Sequence, residues 1–134
     1  MRPSAILGIG TDLLDIRRIE KTLARFPQAF PARLLSQAEQ TQLTSWTPNT
    51  LAKRFAAKEA CAKACGTGIG AKLGFKDMTL THCLGKPPQL ALAMTAIQQI
   101  WPTLKKPQDL VVDLSLSDEY PYVQAFVLIR WSVA

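Results

Sequence analysis

The sequence predicts a single-domain α+β fold with a mainly antiparallel sheet and a long central helix. Its 134 residues are enough for one domain with a hydrophobic core, and 48% of them are hydrophobic, as in other globular proteins. Strand-like segments stand before, between and after helical ones, without the strict alternation of a parallel sheet. Residues 51–68 keep helical spacing over several turns. We therefore expect residues 1–134 to form one domain around that helix.

The charge and the cysteines limit the partners and the compartment. The net charge of +6 favours an acidic partner, and leaves open whether this is nucleic acid, a phosphorylated ligand or an acidic protein. The sequence shows neither an apolar run of about 20 residues nor a signal-peptide core, so we expect a cytoplasmic protein with no membrane span. The three cysteines lack zinc-finger spacing and are expected to be small buried thiols.

The N-terminal motif is GIGTD at residues 8–12. The apolar run Ala5–Ile9 predicts a short buried strand that leads into a turn at the glycines. A dinucleotide-binding GxGxxG motif is excluded, because Leu13 stands where the third glycine is needed. Asp12 is then either the ordinary N-cap of the first helix or a functional acid, and the pattern leaves both open.

A helix is predicted from Leu14 to about Arg25, with its apolar positions on one side. The opposite side carries charges of one sign rather than pairs of acids and bases. We call it the basic stripe, and it consists of Arg17, Arg18, Lys21 and Arg25. Such a stripe is commonly a solvated helix face, whereas the lack of acids within it favours docking to a negative partner.

Local signals predict the boundaries of the next helices. Ser36, with Glu39 three residues later, forms a capping box for a short helix. Thr50 is the expected cap of the central helix, which stops at Gly66 as its C′ residue. The GTG sequence at 66–68 is either a helix cap with a loop or a backbone segment that approaches a phosphate.

The C-terminal half predicts two strand pairs and one helix. The strands are 78–83, 89–92, 110–116 and 122–131, and the helix is 93–104. The last two strands are expected to form a hairpin. The single histidine, His82, is more typical of a surface residue than of a catalyst.

Glu59 is the residue that the helical pattern explains least. It projects from the middle of an apolar side formed by Leu51, Ala52, Phe55, Ala56 and Ala62. An acid there needs a neighbouring base, a proton or a metal ion. Lys63, one turn later, offers an ordinary ion pair worth about 0.2–0.5 kcal/mol, and this alternative stays open beside a functional site.

Five motifs occur in order: GIGTD at 8–12, FAAKEACAK at 55–63, GTG at 66–68, LGKP at 84–87 and SLSDE at 115–119. Together they resemble holo-acyl-carrier-protein synthase, the small trimeric class of 4′-phosphopantetheinyl transferases. The resemblance runs from about residue 6 to residue 129. It implies transfer of 4′-phosphopantetheine from coenzyme A to a serine of an apo-acyl carrier protein, with Mg²⁺ as cofactor and release of adenosine 3′,5′-bisphosphate.

The resemblance also implies roles for individual residues. Asp12 and Glu59 would bind Mg²⁺, since two carboxylates beside a pyrophosphate suit that ion, and Lys63 would stabilise phosphoryl charge. These three are the implied catalytic residues. The implied coenzyme A contacts are Arg54, Lys58, Lys63, Gly66, Thr67, Gly68, Gly85, Lys86 and Pro87. The serine proton would pass to Glu59, Asp118 or a metal-bound water, and Asp118 stands where many relatives have a histidine.

The resemblance gives the basic stripe a partner. Acyl carrier proteins are acidic, and relatives dock one through the first helix. The expected contacts are Arg17, Arg18, Lys21, Arg25 and Arg33. The resemblance also implies a homotrimer whose active sites lie between subunits.

Two rival hypotheses remain. A basic RNA-binding module would use the same cations, but the first helix offers only Phe26 for base stacking, on its apolar side. A family member without activity is disfavoured by the intact Asp12, Glu59 and Lys63. We therefore expect an enzyme with no nucleic-acid partner.

Overall fold

The protein is an α+β domain in which one long helix packs on a three-stranded antiparallel sheet. The structure is a computed structural model and describes residues 4–132. The main sheet has the strand order β1-β5-β4, and β2 and β3 form a separate antiparallel pair. The elements are β1 (Ser4–Asp15), α1 (Ile16–Arg25), α2 (Ala29–Leu34), α3 (Gln37–Gln42), α4 (Pro48–Ala64), β2 (Met78–Thr81), β3 (Gln89–Leu92), α5 (Met94–Ile100), β4 (Leu110–Glu119) and β5 (Tyr122–Ser132). The predicted α+β class and the long central helix are confirmed.

Strand β1 passes directly under α4, and its two glycines make this contact possible. A Cβ at Gly8 would lie 1.8 Å from the carbonyl oxygen of Ala64, and one at Gly10 would lie 2.0 Å from that of Ala60. A side chain at either position would therefore push the helix off the strand. The predicted turn at these glycines is wrong, because they lie inside a strand that continues to Asp15.

Helix α4 is buried on most of its sides. Ten of its 17 residues are buried, and most of these are alanines, so the helix approaches the sheet closely. Glu59 is half-buried and Lys63 is exposed, which places both at the side that opens to solvent. The prediction that Glu59 projects from the middle of an apolar side is corrected accordingly. Apolar neighbours flank the carboxylate without enclosing it.

The ends of α4 are set by side-chain and glycine caps. The N-cap is Thr47, whose hydroxyl accepts a hydrogen bond from the amide of Thr50 at 3.2 Å, with Pro48 as the first helical residue. The prediction of Thr50 as the cap is therefore wrong by three residues. The helix ends at Ala64, and Gly66 follows with a φ of 77°, the left-handed conformation expected of a C′ glycine.

Helix α1 begins at Ile16 because Asp15 caps it. The Asp15 carboxylate accepts a hydrogen bond from the amide of Arg17 at 2.9 Å, and the amide of Ile16 donates to the carbonyl of Pro121 at 2.7 Å. Asp12 lies three residues earlier, inside β1. The N-cap alternative for Asp12 is therefore excluded.

The middle of the chain holds one confirmed and one missed element. The capping box of Ser36 and Glu39 is present at the start of α3. Helix α2 was not predicted, because its six residues are too few for helical spacing to be recognised. Helix α5 is shorter than predicted, and the hairpin of β4 and β5 is confirmed with longer strands.

The cysteines and the histidine differ in their burial. His82 and Cys83 are exposed, Cys65 is half-buried and Cys61 is buried. The expectation of buried thiols holds fully for Cys61 alone among the three. The surface position expected for His82 is confirmed.

The face of the main sheet that α4 leaves uncovered carries large apolar side chains. Ile9 is 61% exposed and Leu13 is 66% exposed on β1. On β5, Phe126 and Tyr122 are also exposed, whereas the alternate residues of that strand are buried toward α4. We call this surface the outer sheet face. A contiguous exposed apolar surface of this kind marks an interaction site more often than chance.

Candidate active site

Two acids meet where α4 crosses β1. Asp12 lies in β1 opposite Ala125 of β5, and its side chain is 16% exposed. Glu59 lies in the middle of α4 and is half-buried. The two carboxylates are close enough that the charge of Asp12 acts on the protonation of Glu59. The backbone contact at Gly8 and Gly10 therefore brings together two acids that are 47 positions apart in the sequence.

Lys63 joins the same site from the last turn of α4. Its ammonium group donates to the carbonyl oxygen of Thr11 at 2.9 Å and to Oδ1 of Asp12 at 3.2 Å. The ordinary pair between Glu59 and Lys63 is absent among residues 4–132, since the salt bridge of Lys63 is made with Asp12. About half of the Lys63 side chain remains exposed, so its ammonium can also contact a ligand.

Burial and charge raise the pKa of Glu59. Partial burial is the largest cause, and the negative charge of Asp12 adds to it. The positive charges of Lys63 and Arg18 oppose the rise. A carboxylate with a raised pKa beside a second acid is a common property of functional sites.

The donor set fits a magnesium ion. Mg²⁺ prefers carboxylate oxygens and usually keeps water and substrate phosphate as its other ligands. Asp12 and Glu59 supply two carboxylates, and a cation between them would offset the repulsion that, after burial, contributes to the raised pKa of Glu59. Within the described part of the chain, no group of three or more His, Cys, Asp or Glu side chains could form an all-protein metal cage.

The GTG sequence after α4 has the geometry of a helix cap. The amides of Thr67 and Gly68 both donate to the carbonyl of Ala62, at 3.3 and 3.1 Å, and the amide of Gly66 donates to that of Lys63. Gly66 and Gly68 have φ values of 77° and 63°. These amides are used within the cap, so the structure favours the cap interpretation. What the loop still offers a ligand is close approach to a backbone without side chains.

Lys58 does not lie at a ligand surface. Its side chain is fully buried, and its ammonium group donates to the carboxylate of Glu39 and to the carbonyl of Leu34. The expectation that Lys58 contacts coenzyme A is therefore wrong. Arg54 is also largely buried, with its Nε 3.3 Å from Oε2 of Glu39 and its Nη1 donating to the carbonyl of Thr50.

Two implied site segments lie at the opposite edge of the sheet from Asp12. Pro87, in the turn after β2, lines a cleft of about 500 Å³ together with residues 110–114 of β4. Asp118 lies near the end of β4 and accepts from Asn49 at 3.4 Å and pairs with Lys53 at 3.5 Å, at the start of α4. Because β5 separates β4 from β1, these segments do not join Asp12 within one chain.

The basic residues of α1 are exposed but not equivalent. The Arg17 guanidinium makes two-point contact with the Asp15 carboxylate, at 2.6 and 2.9 Å, and holds the pKa of Asp15 at about 2. Arg17 is therefore already paired within the chain. The charge of Arg18 acts on Glu59, which indicates that Arg18 lies on the side of α1 nearer the site.

The sequence missed the partners of three charged residues. Glu39 looked like a helix cap, yet it also pairs with Lys58, which is 19 positions away. The carbonyl of Thr11 holds Lys63, and backbone groups carry no signal in the sequence. Aspartate is a favoured N-cap, so Asp15 offered a local signal for its role, but the prediction began the helix one residue earlier, at Leu14.

Comparison with known proteins places these features in a family. A family model described as the 4′-phosphopantetheinyl transferase superfamily matches residues 8–127. The holo-[acyl-carrier-protein] synthase of Bartonella henselae is 41% identical over 127 residues, which cover 93% of this chain and 96% of the relative.

Solved structures agree with this match. The crystal structure of holo-[acyl-carrier-protein] synthase from Neisseria meningitidis has a TM-score of 0.77 at 38% identity, covering 93% of this chain and 98% of the other. The Helicobacter pylori holo-[acyl-carrier-protein] synthase in complex with coenzyme A has a TM-score of 0.75 at 30% identity, covering 90% and 98%. No helix within residues 4–132 is long and apolar enough to cross a membrane. The chain belongs to the holo-[acyl-carrier-protein] synthase family of the 4′-phosphopantetheinyl transferase superfamily.

Proposed function

We propose that this protein transfers 4′-phosphopantetheine from coenzyme A to a serine of an apo-acyl carrier protein, with Mg²⁺ held by Asp12 and Glu59. The observation that carries the site assignment is the meeting of these two acids beside Lys63 at the crossing of β1 and α4. Relatives with this fold include a Helicobacter pylori enzyme solved with coenzyme A, which supports a coenzyme A substrate.

The chemistry follows from charge at the β-phosphoryl group. Bound Mg²⁺ would neutralise negative charge on the diphosphate oxygens as the serine oxygen attacks and adenosine 3′,5′-bisphosphate leaves. Asp12 and Glu59 would hold that ion by their carboxylate oxygens. Lys63, whose ammonium is fixed by Thr11 and Asp12, would donate to a phosphoryl oxygen and stabilise the charge that develops there.

Glu59 is our candidate for accepting the serine proton. Its carboxylate lies beside Asp12 and Lys63, and therefore next to the phosphoryl group that the serine attacks in the proposed reaction. Asp118 is tied to Asn49 and Lys53, which lie ten and six residues, or about 15 and 9 Å of helix, before Glu59. It would have to act on a neighbouring copy of the chain.

We assign the remainder of coenzyme A to basic and glycine-containing segments. Arg54 is the candidate for the 3′-phosphate, because about 10% of its side chain is exposed, unlike that of Lys58, and an arginine offers several donors to a phosphate. The GTG loop, Gly66, Thr67 and Gly68, and the exposed turn Gly85, Lys86 and Pro87 would receive the adenosine end. Pro87 of this turn lies beside β4, at the edge of the sheet away from Asp12. The turn would therefore serve the site of a neighbouring copy rather than its own.

The acidic carrier protein would dock on α1. Arg18, Lys21, Arg25 and Arg33 are exposed and would provide the contact, while Arg17 would contribute less because Asp15 already pairs with it. Charge attraction of this kind acts mainly on the rate of encounter and weakens with salt, over a Debye length of about 10 Å at 0.1 M.

A homotrimer is the proposed assembly, and the cytoplasm the proposed compartment. The outer sheet face supports self-association, because Ile9, Leu13 and Phe126 would otherwise stay exposed to water. An assembly through this face would also allow the β4-edge segments of one chain to approach the Asp12 site of another.

Intact-mass spectrometry tests the proposed reaction directly. The protein is incubated with an apo-acyl carrier protein, coenzyme A and Mg²⁺, and the carrier mass is expected to rise by one phosphopantetheine. A variant of the carrier protein without the acceptor serine is the control. An unchanged carrier mass under all conditions would contradict the assignment.

A further inference from the structure

A buried cluster of three charged side chains lies behind the active site. We call it the buried ion cluster, and its members are Glu39, Lys58 and Arg54. Glu39 and Lys58 have no exposed surface, and Arg54 is 8% exposed. Nothing in the transfer mechanism uses the Glu39 carboxylate or the Lys58 ammonium group, although Lys58 directly precedes Glu59 in α4.

The cluster ties α4 to three other elements. Oε1 of Glu39 accepts from the Ser36 amide at 2.9 Å and from the Lys58 ammonium, and Oε2 accepts from the Leu80 amide at 3.1 Å. The Lys58 ammonium also donates to the carbonyl of Leu34 at 2.7 Å. Lys58 therefore anchors α4 directly to the end of α2 and to α3. It is linked to strand β2 through Glu39.

Stability alone is a weak explanation for this cluster. A buried ion pair is often no more stabilising than well-packed apolar residues of the same volume, because both charges lose their hydration. Nε of Arg54 is buried 3.3 Å from Oε2 of Glu39 but lacks the geometry of a hydrogen bond, so this contact compensates its burial incompletely. The cluster can instead fix the orientation of α4, because hydrogen bonds and ion pairs have preferred geometries and apolar contacts do not.

Helix α4 needs such an anchor because most of its buried side chains are small. Ala56, Ala57, Ala60 and Ala62 are all buried, and a helix that packs through such small side chains has few ridges to fix its rotation. Adjacent residues in a helix point about 100° apart. Fixing the side chain of Lys58 thus fixes the direction of Glu59.

We propose that Glu39, acting through Lys58, sets the rotation of α4 and so aims Glu59 and Lys63 at Asp12. Glu39 and Lys58 are positioning residues in this role, because neither touches a substrate. The inference rests on the proposed role of Glu59 in holding the metal ion.

Small rotations are enough to matter. Side chains extend about 5–6 Å from the helix axis, so a rotation of about 10° moves an atom at that radius by about 1 Å. A misplacement of about 1 Å in a reacting group can cost about 100-fold in rate. Losing a group that orients a metal ligand typically costs about 10–100-fold in metal affinity or activity.

The substitution Lys58→Met tests the proposal by removing one positive charge from the cluster. Methionine keeps an unbranched side chain, one atom shorter than lysine, and lacks the ammonium group. Glu39 retains its hydrogen bonds from the Ser36 and Leu80 amides and its neighbour Arg54, so its charge stays compensated. We expect kcat to fall about 10–100-fold, with KM for the carrier protein within about twofold, because α1 is not moved.

Calorimetry provides a readout that does not depend on activity. Titration of Mg²⁺ into the folded variant with coenzyme A present should show an affinity about tenfold or more below that of the unmodified protein. Glu39→Gln, which keeps the shape and removes the charge, should change Mg²⁺ affinity and kcat in the same direction. It decides the question if Lys58→Met does not fold.

Lys53→Met is the matched control. It makes the same substitution in the same helix, at a half-exposed lysine outside the cluster, and should leave kcat and Mg²⁺ affinity unchanged. The proposal is overturned if folded Lys58→Met or folded Glu39→Gln binds Mg²⁺ as the unmodified protein does. It is also overturned if activity falls only with the folded fraction.

Glu59→Gln, measured in parallel, separates the two levels of the argument. If this variant keeps full activity and Mg²⁺ affinity, then the proposed metal site is wrong. If it loses both while Lys58→Met keeps both, then only the positioning role is wrong.

Discussion

At the scale of residues, the site depends on charge repulsion between Asp12 and Glu59. The repulsion costs free energy in the folded protein without ligand, because a partly buried glutamate is held near a second carboxylate. Lys63 relieves part of it by pairing with Asp12. A divalent ion would relieve the rest and would also neutralise the negative charge of the coenzyme A diphosphate, so the arrangement favours binding of the two together.

The raised pKa of Glu59 predicts the acid side of the pH profile. The metal ion needs the ionised carboxylate, so kcat/KM should fall by about tenfold per pH unit as pH drops below the raised pKa, which lies above the ordinary value of 4.5. More Mg²⁺ should move this limb to lower pH, because the ion competes with the proton. Steady-state rates from pH 4.5 to 8 at two Mg²⁺ concentrations measure it, and a limb that does not respond to Mg²⁺ would contradict the assignment.

The same shift sets the sign of a stability effect. The folded protein holds a proton on Glu59 more readily than the unfolded chain, so this residue's contribution to the free energy of unfolding decreases as pH rises through the raised pKa. Stability without ligand should therefore be limited at neutral pH by the site itself.

The sequence motifs predict where the acids of the site lie, but not which contacts the lysines make. Glu59 stands out because the helical pattern places an acid on an apolar side, whereas Asp12 is distinguished from an ordinary N-cap only by the family resemblance. Lys58 and Lys63 stand in the same motif, yet one is fully buried and the other half-exposed. That difference depends on Glu39, whose position next to α4 is a tertiary contact.

The crossing of β1 and α4 determines the site at the scale of elements. Gly8 and Gly10 were interpreted as turn residues, because glycine usually interrupts a strand. Their actual role depends on the carbonyls of Ala60 and Ala64, which lie on an element far along the chain. Sequence pattern predicts the helix and the strand separately and contains no measure of the distance between them.

Gly10→Ala tests this crossing. The new Cβ would lie 2.0 Å from the Ala60 carbonyl oxygen and 2.7 Å from the Ala64 amide nitrogen, so α4 must shift by about 1 Å and kcat should fall about 100-fold. Overpacking of this kind also costs about 1–3 kcal/mol of stability, measured by denaturant unfolding. Gly70→Ala is the control, because Gly70 has open space around it and an ordinary φ. Equal kcat for the two variants would contradict the account.

Arg18→Glu tests the docking surface of α1. It should lower kcat/KM for the carrier protein about tenfold or more at low salt, while the affinity for coenzyme A changes little. Raising salt should reduce the difference between variant and unmodified protein. Lys105→Glu, which makes the same charge change at an exposed residue after α5, is the control. A similar loss in both variants would indicate a general charge effect rather than docking through α1.

The outer sheet face matters at the scale of the whole molecule. Its apolar side chains lie on β1 and β5, on the side of the sheet away from α4. Alternation in the sequence predicts one buried and one polar face for such a sheet. The departure from that rule here indicates a partner, and in the proposed assembly this partner is a second copy of the chain.

Phe126→Glu tests the assembly. The unmodified protein should have three times its chain mass of 14.8 kDa in light scattering, and the variant should be smaller because a charge on this face opposes burial. Transfer activity should fall with the oligomer, while circular dichroism stays unchanged. Gln124→Glu places the same charge on the same strand, at a residue that is already polar. It should weaken the assembly less than Phe126→Glu does. A fully active monomer would contradict the proposed sharing of sites.

The central claim, that Asp12 and Glu59 together hold one divalent ion against the coenzyme A diphosphate, is tested most directly by the coupling between the two ligands. Calorimetry measures the affinity of coenzyme A with and without Mg²⁺, for the unmodified protein, Asp12→Asn and Glu59→Gln. We predict that Mg²⁺ tightens coenzyme A binding in the unmodified protein and that either substitution removes most of this effect. Coupling of the same size in all three proteins would contradict the account.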